Sequence, residues 1–159
     1  MNPKVTPFLW FDTQAEEAAN LYVSLFKNSK ILNVVRAPKG APGPENAVMI
    51  VAFEIDGAKF TAMNGGPLFT FNESISMVIT CEDQAEVDHF WDGLTANGGH
   101  PGRCGWLIDR FGLSWQVVPK QLRVLMSDPD REKAARVMAA MMRMDKIIVA
   151  DLEAAYGRE

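Results

Sequence analysis

The strongest constraint on this chain is that it spells the same run of elements twice. Thr13-Gln14-Ala15-Glu16 follows a strand-like apolar segment that begins at Val5 (VTPFLWF), and it opens a helical pattern. Asp83-Gln84-Ala85-Glu86 does the same after the β-branched and apolar run from Ser74 to Cys81. Each segment sets a Thr or Asp three positions ahead of a Glu, the capping-box arrangement in which two side chains satisfy the orphan amides of a helix start. Apolar residues then recur at helical spacing: Ala15, Ala18, Ala19, Tyr22, Leu25 and Phe26 in the first helix, and Val87, Phe90, Trp91 and Leu94 in the second. One face of each helix is therefore buried. Lys27-Asn28-Ser29 ends the first and Asn97-Gly98-Gly99 the second.

Strands are predicted over Ile31–Arg36, Ala47–Ile55 and Lys59–Met63 after the first helix, and over Gly105–Ile108 and Leu113–Val118 after the second. The prolines and glycines of residues 37–44 mark an exposed loop. Tight turns at Asp56-Gly57 and at Asp109-Arg110-Phe111-Gly112 join the last two strands of each half. The halves share little residue identity, but their order of elements is the same. The prediction is an α+β chain of two βαβββ modules, about 4–66 and about 72–119, with curved mixed sheets around a cleft. Such a duplication is supersecondary rather than a solenoid.

Beyond Pro119 the pattern becomes helical and belongs to neither half. Residues 121–126 read as a short helix, and Asp128-Pro129 reads as a cap followed by a proline at the first helical position. Ala134, Ala135, Met138, Met141 and Met142 are expected to line one face of the next helix. Asp145 is expected to cap a last helix carrying Ile148, Leu152, Ala155 and Tyr156. This tail, about 120–157, brings together Met138, Met141, Met142 and Met144. A helix face covering the protein body or a dimer contact is the expected use of these methionines, ahead of an adaptable partner surface.

Length and charge narrow the function classes. A chain of 159 residues can bury a core without staples. A net charge of -4 argues against nucleic acid and anionic membranes as partners. No apolar run is long enough for a membrane helix. The start of the chain shows no signal-peptide pattern, so a cytoplasmic location with Cys81 and Cys104 as reduced thiols is expected.

Several motifs together resemble one family. Leu9-Trp10-Phe11-Asp12 is followed by Ala15-Glu16-Glu17-Ala18 and Tyr22; then come Met63-Asn64-Gly65-Gly66-Pro67 and Phe71-Asn72-Glu73-Ser74-Ile75-Ser76. Cys104-Gly105-Trp106-Leu107 and the segment from Phe111 to Pro119 complete the set. In combination, over roughly residues 5 to 125, they resemble the PhnB-like proteins, which also carry the label "3-demethylubiquinone-9 3-methyltransferase domain". The resemblance implies the vicinal-oxygen-chelate, or glyoxalase-like, fold and commonly a homodimer.

Many enzymes of that superfamily hold a divalent metal with His and Glu side chains from the sheets, and the metal polarises the substrate as a Lewis acid. Carried over by the superfamily pattern, the ligand positions here read Val5, Ile75, Thr61 and Gln116. None supplies an imidazole or a carboxylate. His89 falls in the second helix and His100 in a loop, so no metal site is expected. Gly65-Gly66 leads to Pro67 and on toward a strand rather than opening a helix, so it does not read as an S-adenosylmethionine turn. Cys104 has no basic partner to activate it, and Glu73 reads as a turn or dimer-contact residue. No cofactor is expected.

What remains for a ligand site is aromatic and amide-rich: Trp10, Trp106 and Trp115 on predicted strands, with Asn64 and Gln116. Indole faces with a few amides suit a small, planar, mostly neutral organic molecule; core or dimer packing is the competing use of the tryptophans. The leading expectation is a metal-independent small-molecule binder. Two readings stay open beside it: a metal-dependent lyase, transferase or dioxygenase, and a structural or regulatory dimer whose cleft is filled.

Overall fold

The structure, a computed structural model, describes residues 3–157. It divides into two compact units between residues 71 and 72. The first runs β1 (Phe8–Phe11), α1 (Ala15–Leu25), β2 (Lys30–Arg36), β3 (Val48–Ile55) and β4 (Ala58–Asn64). The second runs β5 (Met77–Cys81), α2 (Gln84–Thr95), β6 (His100–Pro101), β7 (Trp106–Ile108) and β8 (Ser114–Pro119), followed by α3 (Lys120–Met126), α4 (Arg131–Met141) and α5 (Val149–Gly157). The sheet orders are β1-β4-β3-β2 and β5-β8-β7-β6. Each first strand pairs parallel with its module's last strand, and the other pairs are antiparallel. The duplicated βαβββ order is thus matched by a duplicated topology, and the fold is α+β.

Strand alternation sends one face of each sheet to its helix. In the first unit Leu9, Phe11, Val51, Phe53, Ile55 and Ala62 are buried beside Ala15, Ala18, Ala19 and Tyr22 of α1. In the second, Ile79, Cys81, Leu107, Trp115 and Val117 are buried with Val87, Phe90, Trp91 and Leu94 of α2, the four positions the spacing marked. Burial pushes the Cys81 thiol up to about 12, with Glu86 and Asp83 adding to the effect, so it is a core group and not a nucleophile.

The local chemistry departs from expectation at the start of α1 and at β6. Thr13 and Glu16 form no capping box. Gln14 occupies the cap position without a side-chain bond, and Asn64 Oδ1 accepts from Ala15 N at 2.8 Å. The reason is register: Phe11 pairs with Asn64, so the end of β4 abuts the start of α1. Glu16 pairs instead with Arg36 at 3.0 Å. Asp83 does cap α2, accepting from Glu86 N at 3.0 Å, and Glu86 Oε2 accepts from Glu82 N at 2.8 Å. His100, read as loop, begins the two-residue edge strand β6, where Pro101 is tolerated because one side of the strand is unpaired.

The tail differs more. Asp130, not Asp128, caps α4 by accepting from Glu132 N and Lys133 N, while Asp128 accepts from Tyr156 Oη at 2.7 Å. Asp145 does not cap α5; Gln84 of α2 does so from a distance, its Oε1 accepting from Val149 N at 2.8 Å and its Nε2 donating to Ile147 O at 3.1 Å. Lys146 reaches Asp88 and Asp92 of the same helix, each at 3.1 Å. The buried side of α4 is Ala134, Val137 and Ala140, not the face through Ala135, Met138 and Met142, all of which are exposed. Two overlapping apolar stripes were written into that helix. The cluster of Leu122, Val137, Ile147 and Leu152 decides which one turns inward.

Candidate functional site

The helix-covered faces are closed, so ligand chemistry has to come from the opposite face of each sheet. By register, the first sheet's open face carries Phe8, Trp10, Ile50, Ala52, Thr61 and Met63. The second carries Val78, Thr80, Trp106, Ile108 and Gln116. These residues are mainly apolar and aromatic, with hydroxyls and the Gln116 amide among them; on the first sheet the same face also carries Asn33, opposite Ala52, and the Glu54–Lys59 register pair.

Trp10 is half-buried on β1. Its Nε1 donates to Gly66 O at 2.9 Å, and its ring meets Phe69 edge-on with centroids 5.0 Å apart. A Cβ on Gly65 would lie 2.4 Å from the indole atoms, so glycine is required there for the ring to lie across the backbone. This accounts for Gly65-Gly66-Pro67. The pair seats a tryptophan, and it follows a strand without opening a helix. The residues do not fit an S-adenosylmethionine site.

Asn64 spends both ends of its amide on the protein, with Oδ1 on Ala15 N and Nδ2 on Val48 O at 3.1 Å. It is a helix cap rather than a free ligand group. Trp115 also departs from the ligand-site expectation. It points to the helix-covered side at 3% exposure, and its Nε1 donates to Asp109 Oδ2 at 2.9 Å. The reason is alternation: Trp115 shares its face with Val117 and cannot share that of Gln116.

Trp106 and Gln116 do come together. They are register partners on β7 and β8, and Val78 is the partner of Gln116 on the other side. Gln116 Nε2 donates to Ser76 Oγ at 2.9 Å, which orients the amide and leaves Oε1 free to accept. Trp106 is half-buried.

Asp109 was not singled out by sequence reasoning beyond its place in a turn. It is 2% exposed and accepts from Phe111 N at 2.9 Å, Leu113 N at 3.1 Å and the Trp115 indole. The Asp-x-x-Gly spelling of residues 109–112 signalled the turn; the indole bond could not be seen without the fold.

The metal positions carried over from the superfamily do not supply a donor set. Val5 is 85% exposed and Ile75 60% exposed, while Thr61 and Gln116 lie on β4 and β8 with neutral side chains. Among the described residues no three His, Cys, Asp or Glu side chains converge as metal ligands would. The residues do not fit a divalent metal held by imidazole and carboxylate.

The fold has close counterparts. The PhnB protein of Bacillus cereus, described as a 3-demethylubiquinone-9 3-methyltransferase, is 33% identical with a TM-score of 0.68; the match covers 74% of this chain and 99% of that one. Protein PA1353 of Pseudomonas aeruginosa gives a TM-score of 0.60 at 18% identity, over 74% of this chain and 98% of that one. The fosfomycin resistance protein FosX of Listeria monocytogenes, in a complex with Mn(II) and sulfate, gives 0.50 at 12% identity over 75% and 90%. The last two likenesses are of fold alone. No curated protein matches. The profile of the 3-demethylubiquinone-9 3-methyltransferase family matches residues 3–118 and stops where α3 begins. The chain therefore belongs to that PhnB-like family, within the vicinal-oxygen-chelate superfamily.

Proposed function

We propose that the chain is a metal-independent binder of a small, planar, mostly neutral organic molecule, held on the open face of the second sheet. The observation that carries this reading is the adjacency of Trp106, Gln116 and Val78 on one face, with the Gln116 Oε1 unspent. An indole face and a valine provide the apolar contact, and the oriented amide accepts one hydrogen bond from a ligand hydroxyl or N–H. Trp10, seated over Gly65, offers a second aromatic group in the first unit. The metal-dependent alternative finds no imidazole or carboxylate at Val5, Ile75, Thr61 or Gln116. Both cysteines are free, which suits a reducing cytoplasm.

The test is calorimetric titration of the full chain with planar probes bearing a hydroxyl or N–H (1-naphthol, indole, 3-hydroxyflavone). Saturable binding is expected, lost on Trp106→Ala and weakened about tenfold on Gln116→Ala, the cost of one hydrogen bond to a ligand. Absence of saturable binding by the wild-type chain, or binding indifferent to Trp106→Ala, would overturn the proposal.

A further inference from the structure

Helix α4 carries a second apolar stripe on its outer side. Ala135, Met138, Ala139 and Met142 are exposed, Met138 at 47% and Met142 at 55%. They follow i, i+3, i+4, i+7 spacing, so they form one continuous row. A helix that has already buried Ala134, Val137 and Ala140 would ordinarily turn charge toward water here. The row ends in charges that the chain does not use. Glu132 lies at one end and Arg143 at the other, both exposed, and among the described residues no hydrogen bond or ion pair engages either side chain.

From this geometry we infer that α4 docks antiparallel against α4 of a second copy of this chain, about a two-fold axis crossing the row between Met138 and Ala139. The pattern is self-complementary in shape. That axis sets Ala135 against the partner's Met142, a small residue under a long thioether, and brings the two copies of Met138 side by side next to the axis. Unbranched methionine fills such a gap readily, and alanine allows close approach of the helices. The pattern is also self-complementary in charge. Glu132 and Arg143 flank the same side of the row, and antiparallel packing brings each beside the other's counterpart, giving two equal ion pairs, as an isologous interface requires. A row of small residues alone would carry none of this; the reciprocal placement of bulk and charge selects a copy of the same chain as occupant.

The surface lies in the tail beyond the span matched by the family profile, which ends at residue 118. It therefore adds an association step to whatever contacts the shared scaffold makes. An 11-residue helix is about 16 Å long, so the contact falls below the roughly 800 Å² per partner of a standard interface, and a weak, concentration-dependent equilibrium is expected.

Sedimentation equilibrium of the full chain over a wide concentration range tests this. The wild-type chain is expected to show an association step that doubles its mass. Glu132→Arg and Arg143→Glu are each expected to weaken that step about tenfold, since a two-fold interface meets every reversal twice. The double reversal is expected to restore it, which a merely misfolded variant could not do. Met138→Glu is expected to abolish the step with an unchanged far-ultraviolet circular dichroism spectrum. Absence of the step, its survival in Met138→Glu, or a double reversal no better than the single ones would overturn the inference.

Discussion

The two halves of this molecule reach one topology through different local chemistry. In the first unit the βαβββ path is tied together at a distance: Asn64, at the end of β4, caps α1 and also binds the Val48 carbonyl at the start of β3. In the second the same helix start is satisfied locally by Asp83 and Glu86, and the long-range tie moves to Asp109, which gathers a turn and the Trp115 indole. Duplication thus preserved what strand pairing enforces and left free where each polar anchor sits.

The comparison can be broken most severely at Asp109. Asp109→Ala leaves two backbone amides and an indole N–H buried without an acceptor, and is expected to cost about 3–5 kcal/mol in urea unfolding. Asp56, in the corresponding hairpin of the first unit, is exposed and has no comparable burden, so Asp56→Ala is expected to cost about 1 kcal/mol, chiefly for its positive φ. Equal losses at the two turns would show that the halves do not differ as described.

A finer test compares the two caps. Asn64→Ala removes a cap and a cross-strand bond together, an expected loss of about 2 kcal/mol; Asp83→Ala removes a local cap alone, about 1 kcal/mol. Hydrogen exchange should show the first loss spreading from the start of α1 into β3, and the second confined to the first turn of α2. An Asn64→Ala effect restricted to α1 would remove the distinction.

The smallest effect concerns the tail, which only the second unit carries. The Tyr156 hydroxyl donates to Asp128; this holds the Asp128 carboxyl below its ordinary value and raises the Tyr156 phenol, mainly through that same bond. A raised phenol stabilises the fold fully below its ordinary value of 10.0 and loses that contribution as pH climbs through the raised value. The lowered carboxyl contributes above its ordinary value of 3.8 and loses its share as pH falls through the lowered one. Protection of α5 in hydrogen exchange should therefore decline slightly at both extremes. Tyr156→Phe should flatten both arms, and an unaltered profile in that variant would assign the pH dependence elsewhere.

Much of the architecture was legible before any coordinates. The cap at Asp83, the helix stripes of residues 15–26 and 87–94, and the turns at Asp56-Gly57 and residues 109–112 are local signals, because capping, amphipathic periodicity and turn chemistry act over a few neighbouring residues. The four buried positions of α2 could be counted off the sequence for that reason. Trp106 and Gln116 were legible as residue types, but their adjacency depends on the register of β7 with β8, which no short window encodes.

What only the tertiary structure decided are the long-range choices. Sequence alternation allowed Trp115 and Gln116 to exchange faces; packing against α2 sent Trp115 inward and left Gln116 on the open side. Helix α4 offered two apolar stripes of similar quality, and the Leu122–Val137–Ile147–Leu152 cluster buried one and exposed the other. Asn64 looked like a ligand amide until register placed it against Ala15 N. In each case the sequence supplied two permissible partners, and the choice belonged to contacts between residues far apart in the chain. The sequence alone determined the duplicated path and the residue types available along it. The tertiary structure decided which of those residues remain free for function.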